Sequence, residues 1–181
     1  MGTWNRRILR SVVPVLLCVS WSVVAPAQAD EYQDAIAKAF PGFKILSRTE
    51  FTNEIQKTVK GNPGLITGRF NDDELVDFAA IIRSESKQKG QLGGEYHRGM
   101  FVVCHAMDKQ RYACQLLGQR AIDLPFFLYL YRVEPGRVVC RDANNKKFEQ
   151  IIKRNAIGTA EIDRGSISVE IHRPDGSYLD C

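Results

Sequence analysis

The hydrophobic pattern near the beginning of the chain has the period of an α-helix. One apolar face recurs at positions i, i+3, i+4, i+7 and i+8, formed by Tyr32, Ala35, Ile36, Ala39 and Phe40. This spacing predicts an amphipathic helix over residues 31–40, which Pro41 and Gly42 end. Residues 49–59 are less regular and are compatible with a short helix capped by Thr49.

Most of the chain beyond Gly64 consists of short apolar runs separated by turn residues, a pattern typical of β-strands. The predicted strands cover residues 65–70, 76–83, 100–106, 111–118, 126–134, 137–141, 157–162 and 166–172. Pro135 and Gly136 predict a hairpin between two of these strands, whereas residues 148–154 fit either a helical turn or a strand. The hydrophilic residues 84–94 predict a surface loop.

An opening helix followed by many short strands predicts the α+β class, with the N-terminal helix packed on a mainly antiparallel β-sheet. No linker-like segment interrupts the strands, so residues 30–181 are predicted to form a single exported domain. A chain of about 150 residues is long enough to bury one hydrophobic core.

The first 29 residues have the order of a secretory signal peptide. Three arginines precede an apolar stretch at residues 12–24, and Ala27-Gln28-Ala29 has the small-x-small form of a cleavage site. The alternative is a membrane anchor, which needs roughly 20 apolar residues, and this stretch is shorter and contains a proline. We therefore predict a signal peptide at residues 1–29, no membrane span after its removal, and a periplasmic or secreted protein.

Removal of this segment changes the charge of the chain. The full sequence has 25 basic and 21 acidic residues, but the predicted signal peptide contains three basic residues and no acidic ones. The exported part therefore has 22 basic residues against 21 acidic residues. A nearly neutral domain gives no electrostatic reason to expect a nucleic-acid partner.

Four cysteines remain after cleavage: Cys104, Cys114, Cys140 and Cys181. An even number in an exported chain favours disulfides, and four cysteines allow three pairings. Two predicted strands around a polar turn would bring Cys104 beside Cys114, which leaves Cys140 for Cys181. The alternative is a metal site with His105 and the first two cysteines, although structural zinc usually uses a closer cysteine pair.

One turn between predicted strands carries a resemblance to a known family. It reads Gly68-Arg69-Phe70-Asn71-Asp72-Asp73-Glu74-Leu75-Val76-Asp77. This segment resembles the calcium loop of FG-GAP and VCBS-type repeats, whose usual form is G-D-F-N-G-D-G-x-x-D. The resemblance implies that Asn71, Asp73 and Asp77, at the third, fifth and ninth positions, supply oxygen ligands to calcium.

The same turn has an alternative interpretation without a metal ion. Arg69 occupies the first ligand position, and Glu74 replaces the usual glycine at the sixth. In this alternative the segment is an acidic β-turn, with Asn71 bonded to its own backbone and Asp77 paired with Arg69.

The most apolar exported segment is Phe126-Phe127-Leu128-Tyr129-Leu130-Tyr131-Arg132. Alternation along a strand places Phe127, Tyr129 and Tyr131 on one face. Two explanations remain open: a central strand covered on both faces, or an aromatic patch that binds a glycan or protein partner.

The chain contains no His-Glu-x-x-His, Gly-x-Ser-x-Gly or phosphate-loop motif. Each of His97, His105 and His172 is therefore expected to be a surface or turn residue. The favoured function is a non-enzymatic exported binding module of unknown partner, for which a cell-envelope protein and a glycan are the candidates. A calcium-stabilised adhesion-type domain ranks second, and a small secreted hydrolase using a histidine or a carboxylate pair ranks third.

Overall fold

A computed structural model of the chain describes residues 26–90, 93–108, 111–141, 146–161 and 167–181. Residues 1–25 of the predicted signal peptide lie outside the described residues. Among the residues described, no helix is long and apolar enough to cross a membrane.

Two α-helices, one short 3-10 turn at Arg48–Glu50 and eleven strands make up the described structure. The helices are α1 (Pro26–Ala39) and α2 (Asn53–Thr58). The strands are β1 (Phe43–Ile45), β2 (Leu65–Gly68), β3 (Asp77–Lys89), β4 (Glu95–Ala106), β5 (Tyr112–Ile122), β6 (Leu128–Val133), β7 (Gly136–Arg141), β8 (Lys147–Ile152), β9 (Ala156–Glu161), β10 (Ile167–His172) and β11 (Tyr178–Asp180).

The predicted α+β class is wrong, because the protein is a β-rich fold built mostly from antiparallel sheets. Strands account for 55% of the structure and helices for 14%. The first sheet has the order β1-β3-β4-β5, and β2 also pairs with β3. The second sheet has the order β11-β10-β9-β6, and β7 and β8 form a separate two-stranded ribbon. A helix on one sheet therefore describes only a minor part of the architecture.

The central core lies between the two sheets. Strand β3 directs Ala79 and Ile81 into it, because alternate residues of a strand face the same side. The second sheet contributes Leu128, Leu130 and Ile157 to the same cluster. Burial of apolar side chains from both sheets stabilises their face-to-face packing.

The opposite face of the first sheet is covered by α1. Tyr32 and Ile36 of the helix are fully buried against Phe78, Ala80 and Ile82 of β3. Helical spacing predicted the burial of Tyr32 and Ile36 correctly, whereas Ala39, which was assigned to the same face, is exposed. The cap of the second helix differs from the prediction, because Thr52 rather than Thr49 caps α2.

The ribbon covers the outer face of the second sheet. Cys140 and Ile152 of the ribbon pack with Ala156 and Ile171 of the second sheet in a third, smaller core. The hairpin predicted around Pro135 and Gly136 does not form, since β6 pairs with β9 and β7 pairs with β8. A turn signal marks a change of direction but does not determine which strands become neighbours.

The predicted surface loop at residues 84–94 is also wrong for most of its length. Strand β3 continues to Lys89, and β4 begins at Glu95. Cross-strand pairs such as Lys87 with His97 extend the ladder into this polar segment. Main-chain hydrogen bonding to β4 therefore maintains a strand that has no apolar alternation.

Candidate functional site: a histidine cluster beside a cleft

All three histidines lie in strands rather than in turns; His97 is buried, whereas His105 and His172 are half-buried. His97 and His105 belong to β4, and His172 belongs to β10. His105 and His172 lie together with Asp77 and Tyr178 at one end of the central core. We call these four residues the histidine cluster.

Asp77 anchors the cluster from the first position of β3, where its side chain is fully buried. Oδ1 accepts a hydrogen bond from the Ala106 backbone N–H at 2.9 Å, and Oδ2 accepts one from the Phe70 backbone N–H at 2.9 Å. Two such bonds compensate a buried carboxylate for the water that it loses. Asp77 therefore ties the β2–β3 turn to the end of β4.

His105 lies next to this carboxylate. Its Nδ1 is 3.1 Å from Oδ2 of Asp77, but the two groups are not aligned as a hydrogen bond, and Nδ1 has no aligned partner among the described residues. On the other side of the ring, Nε2 lies 3.2 Å from the Tyr178 hydroxyl, within hydrogen-bonding distance.

His172 and Tyr178 face each other across the β10–β11 pair. Their ring centroids are 5.4 Å apart, and those of His172 and His105 are 5.5 Å apart. Edge-to-face contacts at these distances are favourable and fix the orientation of the rings. Residues from β3, β4, β10 and β11 thus form one continuous polar contact between the sheets.

The surroundings keep His172 and Tyr178 of the cluster uncharged near neutral pH. Burial lowers the pKa of His172, and the neighbouring His105 lowers it further, although three nearby aspartates partly oppose the change. Burial raises the pKa of the Tyr178 hydroxyl, as do the charges of Asp77 and Glu170. His172 is consequently a neutral imidazole, and Tyr178 keeps its proton.

His172 also lines a surface cleft of about 230 Å³. Three segments form its walls: the turn after β2 at residues 70–72, the β8–β9 connection at residues 150–155, and residues 171–174. Arg154 is held in the wall because Nη1 lies 3.0 Å from the Glu74 carboxylate and Nη2 lies 3.4 Å from the Asp72 carbonyl. Lys153 and Asp72 add exposed charges of opposite sign.

The three residues predicted to bind calcium differ in where their side-chain oxygens are directed. Oδ1 of Asn71 accepts the Asp73 N–H at 3.1 Å, and Oδ1 of Asp73 accepts the Leu75 N–H at 2.8 Å. Asp77 instead directs both oxygens at backbone N–H groups inside the protein. Within the described ranges, no cluster of three or more histidine, cysteine, aspartate or glutamate side chains is placed to hold a metal ion. The calcium site stays a prediction.

The alternative interpretation of the same turn is partly correct. Asn71 does bond to the backbone of its own turn, as a short Asx motif. Arg69, however, pairs with Glu74 at 2.6 Å rather than with Asp77. The side chain that lies beside Asp77 is His105 of β4, a strand that local spacing did not connect with it.

The structure pairs Cys104 with Cys114 and Cys140 with Cys181. These are the pairs that the sequence spacing favoured, and Cys104 lies directly opposite Cys114 in the β4–β5 ladder. Cysteines in disulfides do not act as thiolate ligands, which removes the alternative of a metal site with His105. Two disulfides are consistent with a secreted protein in an oxidising compartment.

The residues of the predicted aromatic patch lie in β6 and directly before it, and Phe127 and Tyr129 pack against the central core. Phe127, Tyr129 and Tyr131 are half-buried, and the ring centroids of the two tyrosines are 6.3 Å apart. The ring of Tyr131 covers Gly158 so closely that a β-carbon there would overlap it. This ring therefore packs against β9, so the patch is partly structural.

Sequence reasoning also missed a second polar cluster, around His97. The Arg83 Nε donates to Glu50 at 2.6 Å, and His97 Nδ1 donates to the Ser84 carbonyl at 2.8 Å. Burial opposes ionisation of Glu50, but hydrogen bonds from Ser47 and Arg83 outweigh it and lower the Glu50 pKa. With Arg83 and Glu50 mostly buried, this cluster links the first sheet to the 3-10 turn.

A turn signal could have revealed part of the histidine cluster. Asp175 and Gly176 form the turn between β10 and β11, and a hairpin around them places His172 opposite Tyr178. The sequence contains no comparable signal for the contact of this hairpin with Asp77 and His105, because that contact depends on how the two sheets pack.

Comparison of the chain with models of known families, with curated proteins and with solved structures finds no match.

Proposed function

We propose that the protein is an exported binding module whose cleft beside the histidine cluster takes a neutral, hydroxyl- and amide-bearing ligand such as a glycan chain. The observation that carries the proposal is the position of His172. It lines the cleft, while the rings of His105 and Tyr178 pack against its imidazole ring. Binding sites commonly place a few oriented polar groups among apolar walls.

The chemistry of the cleft supports a neutral ligand. A neutral imidazole both donates and accepts a hydrogen bond, and the Gln150 amide does the same. Asp72 offsets the charge of Lys153, and Glu74 is paired with Arg154, so the walls carry little net charge. Ile151 and Pro174 add apolar surface for the flat face of a sugar ring. Envelope polysaccharides of the predicted compartment offer these groups.

The test is a titration of the isotope-labelled, oxidised protein with soluble envelope oligosaccharides, followed by amide chemical shifts. We expect shifts confined to residues 70–72, 150–155 and 171–174, and their loss in His172→Ala. Lys57→Ala, an exposed substitution on α2, is the matched control and should bind as the wild type does. Shifts elsewhere, or unchanged binding by His172→Ala, would refute the proposal.

A second candidate is a hydrolase, and a specific observation favours it. Two histidines and a buried carboxylate meet beside a cleft, which is the combination that general acid–base catalysis uses. The raised pKa of Tyr178 makes its hydroxyl a poor nucleophile, so water activated by His172 would have to attack. Turnover of an ester, amide or glycoside substrate that His172→Ala abolishes would support this candidate over simple binding.

A further inference from the structure

A second cavity, of about 180 Å³, opens between the two sheets. The first sheet contributes Phe101 and Leu117 to its walls, and the second sheet contributes Leu128, Leu130 and Ile157. None of the residues that line this cavity also lines the histidine cleft. The cavity is therefore a separate feature, set in the central core and partly open to solvent.

The size of the cavity limits its occupant. A cavity of about 150 Å³ lined by leucine, isoleucine and phenylalanine stays dry and can bind benzene. The cavity here is slightly larger and similarly apolar, so a single aromatic ring or a short alkyl chain fits it. A bilayer-forming lipid with two long chains does not.

Arg120 supplies a positive charge at the edge of this cavity. It lies in β5, an edge strand of the first sheet, and is exposed. Its guanidinium carbon is 5.3 Å from the Phe127 ring and 5.9 Å from the Phe126 ring. Contact with two aromatic rings orients the guanidinium while leaving its N–H groups available.

No carboxylate in the described part of the chain forms an ion pair with Arg120. The acidic residue of the lining, Glu170, is already engaged in an interaction of its own. Thr159 contributes a hydroxyl to the same lining. The polar part of the lining thus combines an oriented cation, a hydroxyl group and the Glu170 carboxylate, whereas the remaining lining is apolar.

We propose that this cavity binds a free medium-chain carboxylate, with the alkyl tail between the sheets and the carboxylate at Arg120. A guanidinium matches a carboxylate through two parallel hydrogen bonds, which gives the anion an advantage over uncharged chains of the same length. Transfer of the alkyl tail from water into an apolar interior is favourable. The site would give this exported protein a second ligand, independent of the cleft at His172.

The test compares three eight-carbon probes on the oxidised, methyl-labelled protein: octanoate, octanol and octylammonium. Octanoate should shift the methyl signals of Leu130 and Ile157 and bind roughly tenfold more tightly than octanol, a factor typical of one charge-assisted hydrogen bond. Octylammonium should bind more weakly than either. Equal affinity for octanoate and octylammonium would overturn the proposal.

Two variants separate the head-group contact from the cavity. Arg120→Gln should reduce octanoate affinity to that of octanol, whereas Arg98→Gln, an exposed arginine bonded to Gln119 on the same sheet, should not. Leu117→Trp should fill the cavity and abolish binding of all three probes. Should that variant not fold, an octanoate preference that survives in Arg120→Gln would by itself refute the assignment.

Discussion

Asp77 is the residue on which the order of the histidine cluster depends most. Its carboxylate accepts backbone hydrogen bonds from two separate segments while lying beside an imidazole. A buried acceptor that serves two donors is difficult to replace, because any substitute leaves a donor without a partner.

We predict that Asp77→Asn destabilises the protein by about 1–3 kcal/mol, the range for leaving one buried donor unsatisfied. The amide offers a single acceptor oxygen, so either the Phe70 or the Ala106 N–H loses its bond. Urea unfolding of both forms measures the difference. Asp72→Asn, at an exposed position of the same turn, is the control and should leave the midpoint unchanged.

His172 should make the stability depend on pH. Its pKa is about 6.5 in the unfolded chain and lower in the folded protein, so below about pH 6.5 the folded state binds fewer protons than the unfolded chain does. The free energy of unfolding therefore increases as the pH rises toward about 6.5 and levels off above it. We expect His172→Gln to reduce this increase in urea unfolding measured at pH 5, 6 and 7. Parallel pH profiles for the two proteins would contradict the assignment.

At the scale of elements, the β2–β3 turn already uses the oxygens that calcium would need. Asn71 and Asp73 accept hydrogen bonds within the turn, and Asp77 is committed to the interior. We therefore expect the thermal midpoint to be the same in calcium and in chelator. A rise in calcium that Asp73→Ala abolishes would instead establish a binding loop, because a ligand at a hundred times its dissociation constant adds about 2.7 kcal/mol.

The two disulfides should differ in their contribution to stability. Cys140–Cys181 closes a sequence separation of 41 residues and Cys104–Cys114 one of 10, which correspond to about 4 and about 3 kcal/mol in the chain-entropy model. Replacement of either pair by alanine removes a similar volume from a buried cluster. We expect the Cys140→Ala/Cys181→Ala variant to unfold at the lower urea concentration, and the reverse order would contradict the model.

The elements differ in how well the sequence predicts them. Apolar alternation located most strands within a few residues, because half-buried strands carry that pattern by necessity. The polar half of β3 was missed, since residues 85–89 are exposed and only pairing with β4 keeps them extended. The pairing of β6 with β9 was also missed, because it joins strands that local turn chemistry does not connect.

For the whole molecule, the fold class was predicted wrongly because the one clear helical pattern was assumed to form an entire layer of the structure. A second sheet on the other face of β3 and β4 is a tertiary feature without a local signature. The histidine cluster has the same origin. Its four residues come from four strands, and sheet packing rather than sequence spacing brings them together.

The ribbon has a consequence for how the molecule opens. Strands β6 and β9 pair directly, although β7 and β8 lie between them in the sequence. The ribbon can therefore detach without breaking the second sheet, as an independent unit in amide hydrogen exchange. In the oxidised protein the bond to Cys181 couples it to β11, so amides of β7, β8 and β11 should exchange as one cooperative group. After reduction they should separate into two groups, with the protection of Tyr178 no longer following that of the ribbon.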